Sequence, residues 1–186
     1  MRRWLLPALM MTLLLTGCGQ AAPERKIDEL QRTLAASAEI AVTADVTANL
    51  GDERFSCTLR CISAPEQTTV ELLAPETIAG VRAVVDPKEM RIEYAGLSLG
   101  VGGWAPDAAP VTALPLLLQA LRSGSTLRSW TEWEGERTLF VRELYVSEDT
   151  TLTVWLDSGT LLPVHGEFVR GGETVLRCEI SEFTYE

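Results

Sequence analysis

The chain has little of what most enzymes build their centres from. It holds one histidine, His165, and four cysteines in 186 residues. Nucleophile–base pairs and metal centres draw on histidine. His165 lies opposite Val164 and Phe168 on its segment, which is the position of a solvated strand histidine. No Cys-x2-Cys pair occurs, and the glycines of 96–103 match neither phosphate-cradling pattern. No acid stands in an apolar setting that would tune a general acid. These absences argue against catalysis, and the expectation is a non-enzymatic protein with no cofactor and no metal.

Basic residues are also scarce: 16 lysines and arginines face 26 acids, for a net charge of −10. Such a surface repels nucleic acid and anionic headgroups, so no nucleic-acid partner is expected. A run long enough to cross a membrane is missing too. The apolar stretch Trp4–Leu15 has 12 residues and contains Pro7, whereas a spanning helix needs about 20. Arg2 and Arg3 precede that stretch, and Leu15-Thr16-Gly17-Cys18 closes it. Basic residues followed by a short apolar run are the first two parts of a secretory signal. The closing tetrad resembles the lipobox of bacterial lipoprotein signals. That resemblance implies a diacylglyceryl group on Cys18, cleavage before it, and palmitate-like acyl chains on the mature N-terminus. It makes 1–17 a signal peptide, 18–23 a tether and 24–186 a single domain. The protein would then be lipid-anchored on the extracytoplasmic face of the cell membrane, or at the outer membrane of an organism that has one. Removing 1–17 leaves 169 residues and, with Arg2 and Arg3 gone, a net charge of −12. Attachment must come from acyl chains, each buried methylene contributing about 0.8 kcal/mol.

Cys57, Cys61 and Cys178 remain, an odd number. Each falls on the apolar side of a predicted strand. Two readings stand: buried free thiols acting as small hydrophobes, or one bridge from Cys178 to Cys57 or Cys61. Cys57 and Cys61 cannot bridge each other on one straight strand. Four residues of strand separate them by about 13 Å, and a disulfide needs Cα atoms within about 7 Å.

Hydrophobic periodicity divides the chain. Ile27, Leu30 and Leu34 recur at helical spacing between Glu24 and Ser37. From residue 38 the period becomes two, with Ile40, Val42, Ala44, Val46, Ala48 and Leu50 on one face. Strands follow at Phe55–Cys61, Val70–Ala74, Ile78–Val85 and Met90–Tyr94. Leu97–Gly103 reads as an apolar, Gly-rich interruption. A second helix is expected from Thr112 to Ser123, with Thr112 as N-cap, Pro115 in the first turn and Gly124 as the stop. Strands resume at Leu127–Glu134, Thr138–Val146, Thr151–Asp157, Leu161–Val169 and Thr174–Thr184. Turns of hairpin length make the ten strands an antiparallel meander. Ten twisted strands with one apolar face must curl to bury it.

The fold class is therefore mainly β with two helices, an unclosed half-barrel covered by helices. Thr69-Val70-Glu71-Leu72-Leu73-Ala74-Pro75, Leu152–Asp157 with Leu162-Pro163-Val164, and Ile180-Ser181-Glu182-Phe183 carry a resemblance to the LolA/LolB-like lipoprotein-carrier superfamily. Together with the lipobox, it points to a relative of the germination lipoprotein (GerS) group. The resemblance implies a membrane-anchored lipoprotein that binds an apolar ligand such as a lipid or lipoprotein acyl chain. The alternative is a non-catalytic scaffold for an envelope protein, of the cortex-amidase partner type. A half-barrel offers a concave apolar surface. The expected ligand-binding residues are Val46, Phe55, Leu59, Leu72, Ile92, Leu117 and Leu121, with Val42, Met90 and Tyr94 beside them. They equally suit a fully packed interior. Leu97, Leu99, Val101 and Trp104 form an apolar segment that, if exposed, marks a partner-binding surface. Trp130 and Trp133 are three apart and face opposite ways on a strand, so one of them is expected in the core.

Overall fold

A computed structural model describes residues 21–50, 53–85, 89–102 and 109–186. Helix α1 spans Ala21–Ala36 and α2 spans Pro110–Ser123. The strands are β1 (Ile40–Leu50), β2 (Glu53–Ser63), β3 (Thr68–Ala74), β4 (Arg82–Val85), β5 (Met90–Tyr94) and β6 (Leu97–Gly102) before α2. After it come β7 (Thr126–Glu134), β8 (Arg137–Tyr145), β9 (Thr150–Asp157), β10 (Pro163–Arg170) and β11 (Glu173–Tyr185). All eleven join one antiparallel sheet in the order β6-β5-β4-β3-β2-β1-β11-β10-β9-β8-β7. The first and last strands pair at its centre, from Ile40 opposite Tyr185 to Ala48 opposite Leu176. The free edges are β6 and β7, and the segment joining them carries α2. The architecture is the expected unclosed, helix-covered meander.

The extra strand is β6, which the sequence presents as an interruption. Ala95 and Gly96 both have positive φ, 50° and 81°, forming the tight two-residue turn that matches strand twist. The glycines of β6 hide its pattern, but Leu97 and Leu99 pair with Tyr94 and Ile92. The strand expected at Ile78–Val85 shortens to β4, because Pro75–Gly80 is spent on a turn.

The inner face of the sheet and the two helices share one core. Ile40, Val42, Ala44, Val46 and Ala48 on β1 are buried there with Cys57, Leu59 and Cys61 on β2. Ile27, Leu30 and Leu34 are the buried stripe of α1, and Leu114, Leu117, Leu118 and Leu121 that of α2. The ends of α2 differ from expectation. Its N-cap is Ala109, with Pro110 in the first turn, and the Thr112 hydroxyl donates to the Ala109 carbonyl. Pro115 therefore stands inside the helix, past its first turn, where it removes the bond an N–H would make to the Val111 carbonyl. Gly124 does end it, its N–H donating to Ala120 at 2.8 Å, and any Cβ there would collide with the Ala120 carbonyl. Gly166 on β10 plays a related part: a Cβ at that position would lie 3.0 Å from Leu117 Cδ1, so the glycine is where α2 sits down on the sheet.

Candidate functional site

The helices do not cover the whole inner face. Along the row Cys61, Val70, Ala83, Ile92 and Leu99, neighbours are paired across β2 to β6. The first three are buried, Ile92 is half-buried and Leu99 is 67 % exposed. The adjacent pairs show the same gradient. Leu59 is buried, Leu72 opposite it is half-buried, and Tyr94 and Leu97 on β5 and β6 are 50 % and 76 % exposed. Cover from α2 thus stops near β4. Beyond it lies an open strip of Ile92, Tyr94, Leu97 and Leu99, flanked by Leu72. Scattered exposed hydrophobes are ordinary, but a contiguous strip on one face marks a binding surface.

This face gathers residues from both expected sites. Of the ligand-binding set, Val46, Leu59, Leu117 and Leu121 are buried in the core. Phe55 and Leu72 are partly buried against it, and Ile92 is half-buried at the start of the strip. Of the partner-binding set, Leu97 and Leu99 are exposed on β6, on the same face as Ile92. Val101 belongs to β6, and its side chain lies outside the described residues, as do Trp104 and Cys18. Under the helices, the space among Ile27, Leu30, Gln31, Leu121, Arg142, Leu144 and Leu156 is about 10 Å³, room for one water at most. A larger opening of about 540 Å³ lies between the β2–β3 hairpin and α2, and its lining is mixed, with Glu66, Gln67, Gln119 and Arg122 beside Pro65, Val85 and Pro115.

Two arginines fasten the helical cover. Arg122 of α2 donates to the Leu34 carbonyl of α1, and to the Ser63 hydroxyl and carbonyl at the end of β2. Arg142 is the one the sequence reading missed. It lies on the inner face of β8, buried, and donates to Asp28 Oδ1 of α1 at 2.7 Å. Its Nε has no hydrogen-bond partner. The signal was present: Phe140-x-Arg142-x-Leu144 sets a cation in an apolar alternation.

The outer face holds a second polar and aromatic group. Glu132 accepts Trp130 Nε1 at 2.6 Å and Trp155 Nε1 at 2.8 Å. The two indole bonds hold its carboxyl below the usual carboxylate range. His165 stacks on Trp155 with ring centroids 4.1 Å apart. Trp130 and Trp155 lie in register with Val141, which is buried on this face. Trp130 and Trp133 do face opposite ways, but neither is core: they are 36 % and 76 % exposed, because β7 is an edge strand. All three remaining cysteines are free and buried. Burial pushes the Cys57 thiol up to about 11 and those of Cys61 and Cys178 to about 12, which suits packing groups rather than nucleophiles.

No protein-family model and no curated protein matches the chain. Solved structures do match its fold. An uncharacterized conserved protein from Thermus thermophilus superposes with a TM-score of 0.53 at 12% identity, covering 88% of this chain and 87% of its own. A domain described as an outer membrane lipoprotein-sorting protein, from Vibrio parahaemolyticus, gives 0.50 at 11% identity over 88% and 93%. A LolA superfamily protein from Nitrosomonas europaea gives 0.44 at 10% identity over 88% and 93%. The likeness is one of fold, an unclosed antiparallel sheet with helices over one face. No helix among the described residues is long and apolar enough to cross a membrane.

Proposed function

We propose that this protein is a lipid-anchored, extracytoplasmic lipoprotein that holds an acyl chain, of a lipid or of another lipoprotein, against the open strip on β5 and β6. The observation that carries this reading is the exposure gradient from Cys61 to Leu99, which leaves an apolar strip at the rim of a filled core. Acyl chains have no hydrogen-bonding demands and gain about 25 cal/mol for each Å² of apolar surface removed from water. The lipobox at Cys18 supports placement at a membrane, where such ligands are. The lipoprotein-sorting description of the Vibrio domain of the same fold agrees with it. No catalysis is assigned. Binding is the whole mechanism: the strip shields the chain from water on one side.

The test is titration of a fluorescent fatty acid into the soluble form that starts after Cys18, alongside Leu99→Glu. Leu99 is exposed, so the variant keeps its fold, and a charge in the strip should weaken binding at least tenfold. A folded wild type that does not bind sinks the reading and turns attention to a protein partner for Leu97 and Leu99.

A further inference from the structure

We infer that edge strand β7 is the face that lies on the bilayer, with Trp133 seated at the lipid headgroups. The inference rests on the lipid anchor at Cys18 proposed above. Three residue-to-residue steps lead from Cys18 to Ala21, where α1 begins. At about 3.6 Å per residue they reach at most about 11 Å, so an acylated Cys18 holds the start of α1 at the membrane surface.

The contacts of α1 show which side of the sheet that is. Near its C-terminal end, the Leu34 carbonyl and Ser63 of β2 share Arg122. Six residues earlier, Asp28 pairs with Arg142 on β8. The helix therefore crosses the concave mouth from the β2 side to β8. The seven residues from Asp28 back to Ala21 rise about 10 Å further, about two strand spacings. Only β7 lies beyond β8, so the start of α1 projects toward that edge.

The chemistry of β7 fits a lipid interface. It is an unpaired edge with no buried residue, and Leu127 and Trp133 are 51 % and 76 % exposed. Trp133 is on the inner face with Ser129, which pairs with Arg142, so it shares the side that α1 approaches. Tryptophan, with an apolar ring and one N–H donor, favours the boundary between lipid and water. The strand's charges are mostly engaged: Arg128 with Glu143, and Glu132 with two indoles. The net charge of the chain disfavours anionic lipid. The occupant is accordingly a zwitterionic bilayer.

The experiment uses the full-length lipidated protein on phosphatidylcholine vesicles whose acyl chains carry bromine near the headgroup, with tryptophan fluorescence as readout. Wild type should be quenched, and Trp133→Phe should lose at least half of that quenching while Trp155→Phe loses little. Equal quenching in wild type and Trp133→Phe, in protein that floats with the vesicles, overturns the assignment. Shielding of Trp133 from iodide without bromine quenching would put a second copy on β7 and also overturn it. Mass spectrometry of Cys18 separates the two readings. An unacylated cysteine removes the anchor and this inference together, whereas an acylated one with no Trp133 effect removes this inference alone.

Discussion

The two partners of the Arg142–Asp28 ion pair sit in unequal surroundings. The guanidinium side chain is 9 % exposed and the carboxylate 59 %. Removing the carboxylate strands a buried cation whose Nε already lacks a partner. Removing the cation leaves an acid that water can solvate. A buried charge that loses its partner is costly, while an apolar replacement of similar volume is often neutral or stabilising. Asp28→Asn should therefore cost about 1–3 kcal/mol, and Arg142→Met much less. Urea unfolding of the two variants and their double tests this. Equal losses from both single changes would mean that burial of the cation is not what sets the energetics. The pair was legible only in part. An arginine between Phe140 and Leu144 on the apolar side of a strand can be read from sequence, but its partner on a helix 114 residues away cannot.

Among the elements, α2 shows best what pattern does and does not determine. Its apolar stripe of Leu114, Leu117, Leu118 and Leu121 is plain in the sequence, and all four are buried. What lies beneath it is not plain, because close approach is set by the absence of a side chain. At Gly166 an added Cβ would stand 3.0 Å from Leu117 Cδ1 and 3.4 Å from Leu152 Cδ1, and both leucines are fully buried with little room to yield. Overpacking of this kind costs about 1–3 kcal/mol, so Gly166→Ala should fall in that range and Gly166→Val at its top. Leu117→Ala alone should cost about 2–5 kcal/mol through its cavity. The double variant Gly166→Ala, Leu117→Ala should lose less than the sum by at least about 0.5 kcal/mol, because one change fills what the other empties. Strict additivity in thermal or urea unfolding would show that α2 does not rest on β10 there. Element type was legible wherever alternation ran unbroken, as in β1 and β9. It failed at β6, whose glycines erase the polar half of the pattern, and at the start of α2, where two prolines offer competing first turns.

For the molecule as a whole, the sequence carries the curl of the sheet but not where its cover ends. Apolar alternation on ten strands demands a concave core, whereas the bare strip on β5 and β6 depends on the length of α2 and on where Arg122 and Gly166 hold it. That is why Val46, Leu59, Leu117 and Leu121 read as ligand contacts and lie in the core, while Leu97 and Leu99 read as partner contacts and share a face with Ile92. The same assembly sets a two-sided pH dependence. Glu132, Asp149 and Asp157 are held below their ordinary values, by the bond from Trp130 first for Glu132, from Ser147 first for Asp149, and from the Thr160 backbone first for Asp157. A depressed carboxylate binds protons less readily folded than unfolded, so its stabilisation is present above about pH 4 and is lost as pH falls. The thiols act in the opposite sense. Burial raises Cys61 and Cys178 to about 12, while unfolded thiols ionise near about 8.5. Between those values the folded chain keeps protons that the unfolded chain releases, so stability is full below about pH 8.5 and declines above it. Each buried thiol then contributes a slope of about 1.4 kcal/mol per pH unit. Urea unfolding at pH 6, 8 and 10 should show a plateau to pH 8 and a fall by pH 10, and Cys61→Ala should flatten that fall whatever it costs at pH 6. An unchanged slope in Cys61→Ala would mean that this thiol meets water in the native state, and the packed interior under α2, on which the proposed place of the ligand rests, would have to be reconsidered.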